Sequence, residues 1–246
     1  MKLRLVSLLL LGTLLRADAL ADLRAALTHL NGQTPVKARI QYQFWSRQGD
    51  AKAPVITEGQ ASAQVEEGPQ GLRMSWSPDL LQAAAREAQA QAANPEAKAP
   101  TRQALEGLKA LTASDALDGA KSLLGLLENA QVLDVREEAW QGQPARRLDL
   151  KLAPKLSKQD QKYVKEFQAS AKVWIGPDGL PLAAETNLHL KGRALLVIAF
   201  EQQEHETFRF ARSGNRLVVL HHAKESSGSG GGEQGQRKSV VDLSLG

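Results

Sequence analysis

The chain has no cysteine, so it can form no disulfide, supply no thiolate to a metal, and carry no lipid-modified cysteine behind an export signal. Aromatic residues make up only 4% of its 246 residues, which is thin for a surface that stacks bases or sugar rings. An excess of one charge is also missing. Lys+Arg number 31 against 27 Asp+Glu, and 28 against 26 once residues 1–21 are set aside, so no concentrated basic stripe for nucleic acid is expected. Beyond the N-terminus no uncharged run approaches the roughly 20 apolar residues that cross a bilayer.

Catalytic signatures are equally scarce. There is no G-x-S-x-G pentapeptide for a serine hydrolase. Neither phosphate-binding glycine pattern occurs, and Gly228 to Gly232 runs into Glu233 rather than into a helix. The histidines are His29, His189, His205, His221 and His222. The one cluster, His221-His222, puts its imidazoles on opposite faces of a strand, away from any shared metal. The carboxylate pairs Glu66-Glu67 and Glu137-Glu138 point apart for the same reason and read as solvated edges, not as the facing acids of a glycosidase. The expectation is a protein that is not an enzyme and takes no cofactor and no metal.

What is present begins with an export signal. Met1-Lys2-Leu3-Arg4 is basic, Leu5 to Leu15 is mostly apolar but too short to span, and Ala17, Ala19 and Ala21 offer overlapping A-x-A cleavage sites. Residues 1–21 are therefore expected to be a signal peptide, with cleavage after Ala19 or Ala21. The location expected for a Gram-negative source is the periplasm, with no lipid anchor. Residues 22–246 are expected to form a single domain, long enough to bury a core without disulfides.

Leu20, Leu23, Ala26, Leu27 and Leu30 fall at helical spacing, and Asn31-Gly32 ends that run. Val36, Ala38, Ile40, Tyr42 and Phe44 then alternate with polar residues, a strand by its period of two. Strands follow at about 55–67 and 72–76, hinged at Gly68-Pro69-Gln70-Gly71. A helical insertion occupies about 78–129, rich in Ala, Leu, Gln and Glu and broken by Pro95 and Pro100. It reads as helices at about 78–93, 101–111 and 114–128, the last capped by Ser114.

From Val132 the period of two returns. Gly176-Pro177-Asp178-Gly179, Lys191-Gly192 and Ser213-Gly214-Asn215 look like turns, and Ser226 to Gln236 looks like a flexible Ser/Gly loop. Trp45 and Trp174 stand out of register with the apolar faces of their strands, which suits either core packing under a helix or the rim of a ligand cavity. The fold class is α+β: about ten sequential strands in a curved antiparallel sheet, an incomplete barrel covered by an N-terminal helix and the helical insertion.

That order of elements, together with Val173-Trp174-Ile175-Gly176-Pro177-Asp178-Gly179-Leu180-Pro181, resembles the LolA-like family of periplasmic lipoprotein carriers and lipid-binding half-barrels. The resemblance implies an apolar cavity, closed by movable helices, that holds the acyl chains of a lipid or lipoprotein on the way to the outer membrane. Membrane-bound donor or acceptor proteins would be further partners, and nucleic acid would not. Val36, Ile40, Tyr42, Phe44, Val173, Ile175 and Leu188 are the inward residues expected to line the cavity. The chain departs from the family in its longer Ala/Gln-rich insertion and its Gly/Ser stretch. The alternative is a structural or regulatory protein-interaction module whose concave face is filled by its own side chains.

Overall fold

The computed structural model describes residues 19–30, 32, 34–50, 52–153, 157, 160–194 and 198–246. Most of the expected signal peptide and the helix-ending Asn31 therefore lie outside the described residues. Residues 19–29 form helix α1, which buries Leu20, Leu23 and Leu27 along one face, with Leu30 just past its end.

Strands β1 (Val36–Gly49), β2 (Val55–Gly68) and β3 (Gly71–Trp76) lead into α2 (Pro78–Ala93), α3 (Pro100–Gly107), α4 (Ala110–Leu117) and α5 (Gly119–Leu127). Strands β4 (Gln131–Glu137), β5 (Arg146–Lys151), β6 (Val164–Ile175), β7 (Pro181–Ala194), β8 (Ile198–Ser213), β9 (Arg216–Gly230) and β10 (Glu233–Leu245) follow. All ten join one antiparallel sheet in the order β3-β2-β1-β10-β9-β8-β7-β6-β5-β4. It is an open sheet with β3 and β4 at its edges, as an incomplete barrel requires. The first and last strands meet in its middle, Ile40 opposite Leu243 and Tyr42 opposite Val241.

Helices cover one face. Ser77 caps α2 by accepting from the Leu80 N–H at 3.3 Å, and Pro78 starts the helix where its missing N–H costs nothing. Helix α3 has no cap of its own. The Glu87 carboxylate of α2 instead accepts from the N–H groups of Thr101 (3.1 Å) and Arg102 (2.9 Å), so one helix supplies the other's cap. The helix expected over 114–128 is broken at Asp118. Its side chain accepts from the Lys121 N–H at 3.2 Å and starts α5, while Ser114 lies inside α4. Arg24 of α1 donates to the carbonyls of Leu127 and Glu128, which ties α1 to the C-terminal end of α5.

Two other expectations are corrected. Lys191-Gly192 is not a turn but part of β7, Gly192 facing Phe200 across the ladder. A Cβ at Gly192 would come within 2.2 Å of the Tyr163 carbonyl and 2.3 Å of the Phe200 ring, so glycine answers to close packing there. Ser226 to Gln236 is not a loop either. It is the far end of a long β9–β10 hairpin paired down to Gly230 and Glu233, with only Gly231 and Gly232, both at positive φ, making the turn. Backbone hydrogen bonds hold strands that have almost no side chains to bury. The turns at Gly176 to Gly179 and at Ser213 to Asn215 form where the sequence places them.

Beneath the helices the core has two parts. One gathers Val36, Ile40, Tyr42, Phe44, Val65, Val218, Val241 and Leu243 from β1, β2, β9 and β10 under α3 and α4. The other gathers Leu148, Leu150, Val173, Ile175, Ala184 and Leu217 against α1 and α5, through Leu23, Leu27, Leu123 and Leu127.

Candidate functional site

The helix-covered face changes chemistry along its strands. On β8 the residues of one parity run Gln202, Glu204, Glu206, Phe208, and across the ladder on β9 stand Gly228, Ser226, Lys224 and His222. One end of this face is therefore apolar and the other polar.

At the apolar end lies a hollow of about 380 Å³ between the sheet and the helices, walled by Tyr42, Ala116, Phe208, Val219 and Val241. Glu206, His222 and Asp115 stand around it. His222 stacks on Phe208 with ring centroids 4.3 Å apart and meets the Glu206 carboxylate at 2.7 Å. Lys224 donates to Glu204 at 2.8 Å and to Glu206 at 3.2 Å. Burial opposes the charge on Glu206, but its bonds to His222 and Lys224 outweigh that and hold its pKa below the usual carboxylate value. Burial likewise opposes charge on Lys224, and its two carboxylate partners still raise its pKa. Asp115, at the rim, has its pKa raised by burial first and by the neighbouring Asp118 next, against lowering by Lys121 and His222.

A second hollow of about 460 Å³ lies beside the first, toward the polar end, between β1–β2 and the α3–α4 junction. Phe44, Ser46, Gln48, Thr57, Gln103, Lys109 and Arg237 line it. The two are separated where α3 touches the sheet. A Cβ on Gly107 would lie 2.2 to 2.7 Å from the Tyr42 ring and hydroxyl, and one on Gly59 would meet the Pro100 carbonyl at 2.5 Å. Arg237 donates to the Tyr42 hydroxyl at 3.0 Å and lies 5.6 Å from the centroid of the Phe44 ring.

The residues expected to line a cavity are distributed as follows. Tyr42 borders the first hollow and Phe44 the second, while Val36 and Ile40 pack beside them in the core of that half. Val173 and Ile175 belong to the other core. Leu188 is half-buried and lines a different cavity of about 900 Å³, crossed by the paired row Ala169, Leu188, Glu204, Ser226 and Arg237 and otherwise mostly polar.

Sequence reasoning missed Phe208, Val219, His222, Val241 and Arg237. The alternation Glu204, Glu206, Phe208, Phe210 carried the signal, because it puts acids and rings on one strand face.

Three more histidines have structural partners. His221 and His222 do face opposite ways, His221 bonding to Asp242 at 2.7 Å. His189 meets Glu201 at 2.7 Å and His205 meets Asn187 at 2.9 Å. Among the described residues no group of three or more His, Asp or Glu is placed to hold a metal. Two carboxylates expected at solvated edges are instead held in place. Glu67 pairs with Arg216, which is only 5% exposed, and Glu138 takes bonds from Arg147 and from Trp174 Nε1. Trp174 and Trp45 are half-buried on the face away from the helices, Trp174 held by that acid and Arg147.

No helix among the described residues is long and apolar enough to cross a membrane. No family model matches the chain, and no curated protein does. Among solved structures it is similar to the crystal structure of MucB in complex with MucA(peri), at 10% identity and a TM-score of 0.20, over 91% of this chain and 93% of that one. A likeness at that level carries no argument about family or partner.

Proposed function

We propose that this protein is a non-catalytic carrier or binding protein that holds an acyl chain between its helices and its sheet. The observation that supports this reading is the 380 Å³ hollow walled by Tyr42, Ala116, Phe208, Val219 and Val241. Its volume falls at the lower end of the range of small-molecule sites, roughly 300 to 1,000 Å³, and its walls are apolar where such sites are apolar. Its roof consists of helices of eight and nine residues joined at Lys109 and Asp118. Short helices of this kind owe their stability to packing and can be displaced without unfolding the sheet.

The 900 Å³ cavity is larger but its lining is as polar as it is apolar, with charged side chains such as Glu204 and Arg237 among it, so the smaller hollow with mainly apolar walls suits an alkyl chain better. As an exported carrier the protein would work in the periplasm, as its N-terminal sequence suggests, passing acyl chains of a lipid or lipoprotein between partners. The purified protein should give a saturable signal with a dansyl-labelled fatty acid, displaced by unlabelled fatty acid, and should release lipid on solvent extraction. Val241→Trp, which fills the hollow from its floor, should abolish the signal while leaving the circular dichroism spectrum unchanged. Absence of both signal and extracted lipid would sink the proposal.

A further inference from the structure

The apolar hollow has a closed end. It runs along one row of residues paired across the sheet, Phe208 on β8, His222 on β9, Val241 on β10 and Tyr42 on β1, all four of which wall it. Tyr42 is therefore the last side chain of that wall toward β2, where the row continues with the small Ala61. Room does not end there. Behind the Tyr42 ring lies the 460 Å³ hollow with Phe44 in its wall, and Gly107 lines both spaces.

The partition between the two hollows is held from several sides. Gly107 lies flush on the Tyr42 ring, so close that a Cβ there would come within 2.2 to 2.7 Å of the ring and its hydroxyl. At the other end of α3 the Pro100 carbonyl rests on Gly59, 2.5 Å from where a Cβ would stand, so both ends of the helix sit directly on the sheet. Arg237 donates to the Tyr42 hydroxyl at 3.0 Å, and the Phe44 ring stacks beside it with centroids 6.2 Å apart. A buried tyrosine needs a partner for its hydroxyl, and this partner also fixes where the ring lies.

We infer that Tyr42, clamped beneath Gly107, is the end-stop that sets the longest acyl chain the protein accepts. This rests on the acyl-chain reading above and adds a limit on the length of the chain. Each methylene that fits between Phe208 and Tyr42 leaves water for apolar walls and tightens binding. One that reaches the ring has nowhere to go, because the next free space lies behind it. Length is thus limited by one side chain and not by the depth of the fold. Removing the ring would free its own volume, against Phe44 and Ala61, and join the two hollows.

The test is displacement of a dansyl-labelled fatty acid from the full chain by the even-numbered saturated fatty acids from octanoate to octadecanoate, each kept below its micelle concentration. Affinity should rise about fourfold per added methylene up to a limiting length and then stop rising. In Tyr42→Ala the rise should continue past that limit, so that the first acid beyond it binds roughly tenfold or more tightly than it binds the unaltered protein. Tyr42→Val, whose β-branched side chain suits a strand, should behave alike and carries the test if the alanine variant does not fold. A rise that continues to octadecanoate in the unaltered protein, or a limit at the same length in the folded variants, would overturn the inference and leave the acyl-chain reading standing. If the label does not bind, or no acid displaces it, both are overturned.

Discussion

The two halves of the covered sheet face are built differently. Against α1 and α5, Leu148, Leu150, Val173, Ile175 and Leu217 meet Leu23, Leu27, Leu123 and Leu127, branched aliphatic side chains closing on one another. Against α3 and α4, Ile40, Val65, Leu108 and Leu117 are buried as well, but the sheet adds the rings of Tyr42 and Phe44, and the helices approach through Gly107 and Ala104, with hollows on either side of the contact. Interdigitated aliphatic side chains leave no room and resist separation. Rings set against glycine and alanine touch at points and leave gaps between them. The first half thus serves as the fixed frame, and the second is where the proposed acyl chain would enter.

The strongest way to break this contrast is to damage the frame. Leu148 is fully buried, and Leu148→Ala should lower stability by about 2–5 kcal/mol in urea unfolding while leaving the affinity for a labelled fatty acid within twofold. A large loss of affinity in the folded variant would mean that the halves do not act separately.

A smaller effect is expected at the point contact. Gly107→Val would drive a branched side chain into the Tyr42 ring and push α3 off the sheet. The expected cost is about 1–3 kcal/mol, and unlike Leu148→Ala it should also change fatty-acid affinity, which fluorescence titration would read.

The smallest effect concerns the polar border of the hollow. The pKa of Glu206 is depressed in the folded state, so its stabilising contribution is present above the ordinary carboxylate value of 4.5 and is lost as pH falls through its own lower value. Glu206→Gln should therefore cost about 1 kcal/mol at pH 7, allowing for its contact with solvent. Melting curves of the two proteins, recorded from pH 7 to pH 3, should converge at the acid end. A constant gap would show that Glu206 is not a charged partner of His222 and Lys224.

How much of this could be read in advance depends on the kind of signal. Strand β1 declares itself because five apolar residues alternate with polar ones from Val36 to Phe44, and α2 because Ser77-Pro78 starts it and Pro95 lies just beyond its end. The open sheet under helices follows from such periodicities. Ser226 to Gln236 misleads because composition reports what side chains can bury, whereas pairing with β8 and β1 is a matter of backbone bonds. Gly192 misleads because a glycine required by the Phe200 ring looks the same in sequence as one required by a turn.

The cavity residues were half legible. Tyr42 and Phe44 fall at hollows because they belong to the longest amphipathic strand, but which inward residues face a gap depends on where Gly107 lets a helix touch down. Arg237 gave no local signal. Its neighbours in sequence are polar, and its contacts, the Tyr42 hydroxyl and the Phe44 ring, lie far away in the chain.

The place of β10 in the sheet bears on how the molecule comes into being. Every other strand precedes it in the chain, yet it is the strand that joins β3-β2-β1 to β9 through β4. Until residues 233–245 are made, the nascent chain has two separate sheets with open edges at β1 and β9, and none of the pairs from Ala38–Leu245 to Gly49–Gln234 can form. Contacts spanning nearly the whole chain make for slow assembly, and the waiting edges are templates for mispairing. A chaperone that shields β1 and β9 should therefore raise the yield of folded protein more than any change to the helices.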